Sequence, residues 1–205
     1  MKINFKNKKN KGFTLVETMI AVFILTLGIT SVLSVIGGSF FSARYAKNEL
    51  TGTYLNQEAI DYVRNSRDTL AFQNGDWTSF LKKFGYDDTK SGGDDLCFKS
   101  PGCSFDVTDN VGTYLKYCNN VAFWGSLPCP ELYINSSPTS GLGGYYTYDQ
   151  NISGAIPAKM KRMIFMQLNS NNSSGYEVDI TVTSEWLNGN VVRSQTLRES
   201  LLKWQ

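Results

Sequence analysis

Three sets of side chains in this sequence have types and spacings suited to chemistry. The first is one acid, Glu17, set in the stretch "KNKGFTLVETMIAVF", where lysines run up to Gly12 and an apolar run begins at Phe13. A carboxylate inside a membrane-length apolar segment is costly, and it is rare there unless it has a job. The second set is four cysteines, Cys97, Cys103, Cys118 and Cys129. An even count in a loop-rich region argues for disulfides, provided that region reaches an oxidising compartment. Four cysteines allow three pairings. The nearest-neighbour set, Cys97–Cys103 with Cys118–Cys129, is the simplest, and its first member closes a natural turn through Ser100–Pro101–Gly102. Zinc is the rival, without C-x-x-C spacing or any histidine to support it. The third set is weaker. Asp87, Asp88, Asp94 and Asp95 make an oxygen-rich stretch of the kind that binds calcium, but they fit no standard loop spacing and read first as a solvated acidic loop. Tyr145, Tyr146 and Tyr148 in "GGYYTY" could stack on a base or a glycan, although alternate ring packing in a strand is the commoner use. Lys159, Lys161 and Arg162 could touch phosphate, but three charges are too few to claim a nucleic-acid surface.

Missing residue types narrow the chemistry further. With no histidine there is no Ser–His or Cys–His pair and no His-bound metal. No glycine-rich phosphate loop occurs. Two acids suffice for a glycosidase, yet nothing singles out such a pair. The chain reads as a non-enzyme that needs no cofactor.

The elements that must position these residues begin with residues 1–43. Met1 to Gly12 holds Lys2, Lys6, Lys8, Lys9 and Lys11 and no acid, so the net charge of +2 hides a remainder of fifteen basic and eighteen acidic side chains. No charged residue lies between Glu17 and Arg44, and as a helix that interval spans about 39 Å, enough for a bilayer core of about 30 Å. Lysines before such a segment keep the N-terminus cytoplasmic and send the rest outside. A cleaved secretory signal fits poorly, because its apolar region runs only about 7–15 residues. Its best small-residue site, near Ser42–Ala43, would also leave Glu17 unexplained. A plain signal anchor accommodates Glu17 only as a side chain that snorkels to the interface.

The string "KKNKGFTLVETMIAVFIL" resembles the N-terminus of type IV prepilins and of type II secretion pseudopilins, with the strong match covering about Lys8 to Phe41. The resemblance implies a leader, Met1–Gly12, cut after Gly12 by a membrane prepilin peptidase that also methylates the new amine of Phe13. It implies that Glu17, four residues beyond Phe13, guides docking of subunits during assembly. The implied partners are that peptidase and methyltransferase, other pilins of the same filament, an assembly platform protein with its ATPase, and membrane lipid before assembly. Many major pilins carry a helix-bending proline that would fall near Ser34. Its absence here favours a minor pilin or a pseudopilin. The family often staples a C-terminal loop, whereas these cysteines lie in the middle of the expected head. The second class of function is a membrane-anchored binding module, an adhesin or DNA receptor, that does not polymerise.

Beyond the membrane segment, Leu50, Tyr54, Leu55, Ala59, Tyr62 and Val63 recur at three- and four-residue steps among charged residues, which predicts an amphipathic continuation of the helix to about Ser66. No proline precedes Pro101, so nothing breaks it by ring geometry, although Gly28, Gly37, Gly38 and Gly52 interrupt it. From Thr69 to Pro157 turn signals dominate, with short strands at Thr113–Tyr117 and Tyr145–Tyr148. The C-terminus gives three strand-like runs, "RMIFMQLNS", "YEVDITVTSEW" and "VVRSQTLRESLLKW", joined by turns at "SSG" and at Asn188–Gly189. Tyr176, Val178, Ile180, Val182, Ser184 and Trp186 share one face by alternation, and the final "LRESLLKW" could turn helical. The expectation is an α+β chain. It has a leader at 1–12, a long helix at 13–66 (membrane-spanning over 13–43, amphipathic over 44–66) and a pilin-like head at 67–205 ending in an antiparallel β-meander. The helix crosses the cytoplasmic membrane once, with the head outside, before the chain joins a cell-surface or periplasmic filament.

Overall fold

The computed structural model describes residues 12–73, 76–87, 95–106, 114–119, 124–125, 127–135, 144–152, 154–169 and 177–203. Residues 1–11 of the expected leader lie outside them, as do Asp88, Asp94, the "SSG" turn and Tyr176. The fold is α+β: one long N-terminal helix and an antiparallel sheet. Helix α1 covers Leu15–Phe72 and α2 covers Trp77–Lys83. The strands are β1 (Cys103–Asp106), β2 (Tyr114–Tyr117), β3 (Glu131–Asn135), β4 (Tyr146–Thr147), β5 (Ala155–Leu168), β6 (Glu177–Asn188) and β7 (Val191–Leu202).

The chain divides into two compact units, Met1–Tyr45 and Ala46–Gln205. In the first, every described residue up to Arg44 is exposed, including Leu15, Ile20, Phe23, Leu27, Val35 and Phe40. By length and composition this helix is able to cross a membrane. Its hydroxyls do not break the apolar surface, because Thr18, Thr26, Thr30, Ser31 and Ser39 bond back to carbonyls three or four residues earlier.

In the second unit α1 buries one stripe, Gly52, Leu55, Asn56, Ala59, Ile60, Val63 and Ser66, at the helical repeat. Ala59, Ile60 and Val63 join Phe80, Phe84, Phe105, Ile164, Met166, Val178, Ile180 and Val182 in the main core. Leu55 joins Leu132, Met160 and Trp186 in a second. Val178 to Trp186 alternate onto one buried face of β6 as their spacing predicts, and the facing residues of β5 match them in register, Met160 opposite Trp186 and Ile164 opposite Val182. Gly52 has a packing reason: a Cβ there would stand 3.0 Å from Cζ3 of Trp186.

The meander β5–β6–β7 is antiparallel throughout. Asn188 pairs with Val191, and the two-residue turn between them begins with Gly189 at φ 64°, which glycine adopts at no steric cost. Several expectations shift. Helix α1 continues past Ser66 to Phe72, and α2 follows, capped by Asp76, whose carboxylate accepts from the Ser79 N–H at 2.8 Å. β5 starts at Ala155 and contains Pro157, which is tolerated because β6 pairs with β5 only from Met160 onward. The last run stays extended to Leu202 and does not turn helical, because its pairing with β6 is unbroken. β1 and β3 went unseen in the sequence; they are four and five residues long.

Candidate functional site

The N-terminal site is built by a helix start. Thr14 precedes α1, and its Oγ1 accepts from the N–H of Glu17 at 3.3 Å, while its carbonyl accepts from Thr18 N at 3.2 Å. A threonine that satisfies a free amide of the first turn is an N-cap, and Thr14-x-x-Glu17 has the spacing of a capping box. That signal was present in the sequence, and the capping role of Thr14 was missed. The result is that Glu17 lies in the first turn of α1, where a carboxylate also complements the helix dipole. Gly12 and Phe13 precede the helix and are exposed, Phe13 at 77%. The Gly12–Phe13 bond is therefore in non-helical, accessible chain, while the acid is on the helix just beyond.

The cysteines, all fully buried, form disulfides between Cys97 and Cys103 and between Cys118 and Cys129. Both belong to the head. The carbonyl of Cys97 also accepts from Met166 N at 2.9 Å, tying the first staple to β5.

The basic triplet does not form a surface. Lys159 is exposed, whereas Lys161 and Arg162 are buried at 1% and 2% exposure, on opposite faces of β5. Lys161 donates to the carbonyl of Leu127 at 3.2 Å and lies over the ring of Trp124. Burial pushes its pKa down, with Glu185 and Glu131 opposing the shift. Arg162 donates to Leu55 O at 3.0 Å, to Phe105 O at 3.2 Å and to Glu58 Oε2 at 2.5 Å, with its guanidinium over the Phe105 ring. It is a clamp between α1, β1 and β5, and phosphate has no access to it. Of the tyrosines, Tyr146 is in β4. Tyr148 donates to Arg162 O at 3.4 Å, and burial raises its pKa. Asp87 and Asp95 border a stretch outside the described residues, so the acidic loop is left without a geometry.

No curated protein and no solved structure matches the chain. One family model does, described as the prokaryotic N-terminal methylation motif, over residues 7–33. That motif implies processing by a prepilin peptidase and assembly with other pilins, and its family is structural rather than enzymatic. Gly12, Phe13, Thr14 and Glu17 all fall inside the matched span, and a helix apolar enough for a membrane follows them. The chain carries, at residues 7–33, the methylation signature of type IV pilins and pseudopilins.

Proposed function

We propose that the chain is a minor type IV pilin-like or pseudopilin subunit. The peptidase hydrolyses the Gly12–Phe13 bond, and the freed amine of Phe13 is methylated. α1 holds the subunit in the cytoplasmic membrane until a platform protein and an ATPase drive it into a filament. The observation that carries this reading is Glu17: it is the one charge in an otherwise apolar helical segment, and it falls inside the matched motif. Phe13 stands just before α1 and Glu17 in its first turn, so the new cation and the carboxylate are about one helical turn apart, near the same side of the bilayer. In a packed filament the amine of one subunit can face the acid of a neighbour. A charge left without its partner in a dry interior costs about 3–5 kcal/mol. The minor role rests on the lack of proline in α1, which leaves the helix without the bend described for many major subunits.

The test has two readouts. Intact mass of protein from a host with the peptidase is expected to show a chain starting at methylated Phe13. A start at Met1 or after Ala43 would end the proposal. Glu17→Val is expected to leave cleavage and membrane residence intact while lowering its share in sheared filaments at least tenfold, which corresponds to about 1.4 kcal/mol or more. Wild-type incorporation of the variant would favour the other class, a membrane-anchored binding module that does not polymerise, since a passive anchor tolerates a neutral residue at position 17.

A further inference from the structure

Beside the second core cluster lies a groove that the processing site does not use. Thr51, Tyr54, Leu55 and Glu58 of α1 line one side, and Tyr145 and Tyr146 line the other. Its volume of 360 Å³ is within the range of ligand sites, about 300–1,000 Å³.

Two features make it more than a dent. The first is a fixed acceptor. Glu58 Oε2 takes the bond from Arg162 Nη1 at 2.5 Å, and Arg162 is itself held by two backbone carbonyls. The carboxylate is therefore oriented, and its other oxygen, Oε1, has no hydrogen-bond partner among the described residues. The second is the aromatic lining. Tyr54 is 63% exposed although it belongs to the amphipathic part of α1. The hydroxyls of Tyr54 and Tyr146 also lack partners among the described residues. Tyr145 is steadied by the buried Asn135, whose Nδ2 donates to its hydroxyl at 3.0 Å.

The charge pattern selects the ligand class. Arg162 already balances Glu58, so the groove has no net negative charge to hold a cation. None of its lining residues is basic, so a phosphate backbone finds no partner either. What remains is tyrosine faces, phenolic hydroxyls and one oriented acceptor. We propose that this groove binds a neutral carbohydrate, with a sugar ring stacked on tyrosine and a sugar hydroxyl donating to Glu58 Oε1. Tyrosine suits this role, since its ring offers apolar contact and its hydroxyl a polar one.

The experiment uses the full chain in lipid nanodiscs, before any assembly, so its result does not depend on filament entry. The probes are cellobiose, lactose and N,N′-diacetylchitobiose, with oligothymidylate and tetramethylammonium as rivals, read by saturation-transfer NMR and titration calorimetry. At least one disaccharide is expected to bind, with affinity reduced at least about tenfold in Tyr54→Ala. Tyr54→Phe, which keeps the ring, retains most of it. Tyr54 is exposed, so these variants leave the core untouched, and circular dichroism checks that they fold. The proposal is overturned if no disaccharide binds up to tens of millimolar, if only oligothymidylate or tetramethylammonium binds, or if sugar binding is indifferent to Tyr54. Cross-links from position 54 to a second copy, without sugar binding, would instead make the groove a subunit contact.

Discussion

Arg162 sits in a row of β5 whose other members, Met160, Ile164 and Met166, are apolar and buried. A guanidinium there is tolerable only because its bonds and its ring contact are supplied by α1 and β1. Arg162→Ala is expected to lower the unfolding free energy of the head by about 2–4 kcal/mol, since Glu58 is partly exposed and regains water, whereas the Leu55 and Phe105 carbonyls lose a donor. Arg162→Met, which refills the volume, is expected to cost less than half of that; urea unfolding measures both. Asp76 is an exposed group with a different signature. Hydrogen bonds from Ser79 and Thr78 lower its pKa to about 2. A depressed carboxylate pKa adds stability above the unfolded value, about 3.9, and that contribution fades as pH falls through about 2. The Ser79 amide resonance is therefore expected to titrate near pH 2, and Asp76→Asn to abolish that titration. Neither role was legible in the sequence. "KMKR" reads as a patch until alternation is applied, which already puts Lys161 and Arg162 on opposite faces, but their covers come from distant segments around Leu127 and Leu55.

At the level of elements, legibility followed period and length. The long helix and the three-strand meander were readable because each repeats its pattern over many residues: a stripe at three and four on α1, strict alternation from Val178 to Trp186, and a glycine turn between β6 and β7. The end of α1 was not readable, because Asn65 and Ser66 are poor helix formers that tertiary packing overrides; Ser66 is buried and receives a bond from Lys83 at 3.1 Å. β1 and β3 are too short to show a period, and beside their near partners β2 and β4 each also pairs with β5, far along the chain. Gly52 read as a weak point of the helix and is instead a place where α1 packs tightly against the ring of Trp186 in β6. Gly52→Leu is expected to destabilise the head by about 1–3 kcal/mol, because Trp186, 2% exposed, cannot retreat from the added side chain. Gly28→Leu, with nothing within 4 Å of its Cβ position, is expected to leave the melting temperature of the head unchanged in the same thermal scan.

For the whole molecule, the division after Tyr45 says that the head contains its own core. Residues 46–205 expressed alone in an oxidising compartment are expected to be soluble and folded, with no free thiol by Ellman titration; an unfolded fragment, or four free thiols, would contradict the structure. If the chain is exported as proposed, the two disulfides have a consequence for the order of events on the way. They join residues only 6 and 11 positions apart. Every other pairing of the four would close a longer loop, and loop closure grows costlier with length, by about 0.6 kcal/mol per doubling. Each correct partner is thus also the nearest one along an unfolded chain. A thiol oxidant acting as the polypeptide emerges meets Cys97 with Cys103, then Cys118 with Cys129, in the sequence in which they cross. The correct bonds are favoured before any sheet exists to select them, and a head built this way leaves an isomerase little to repair.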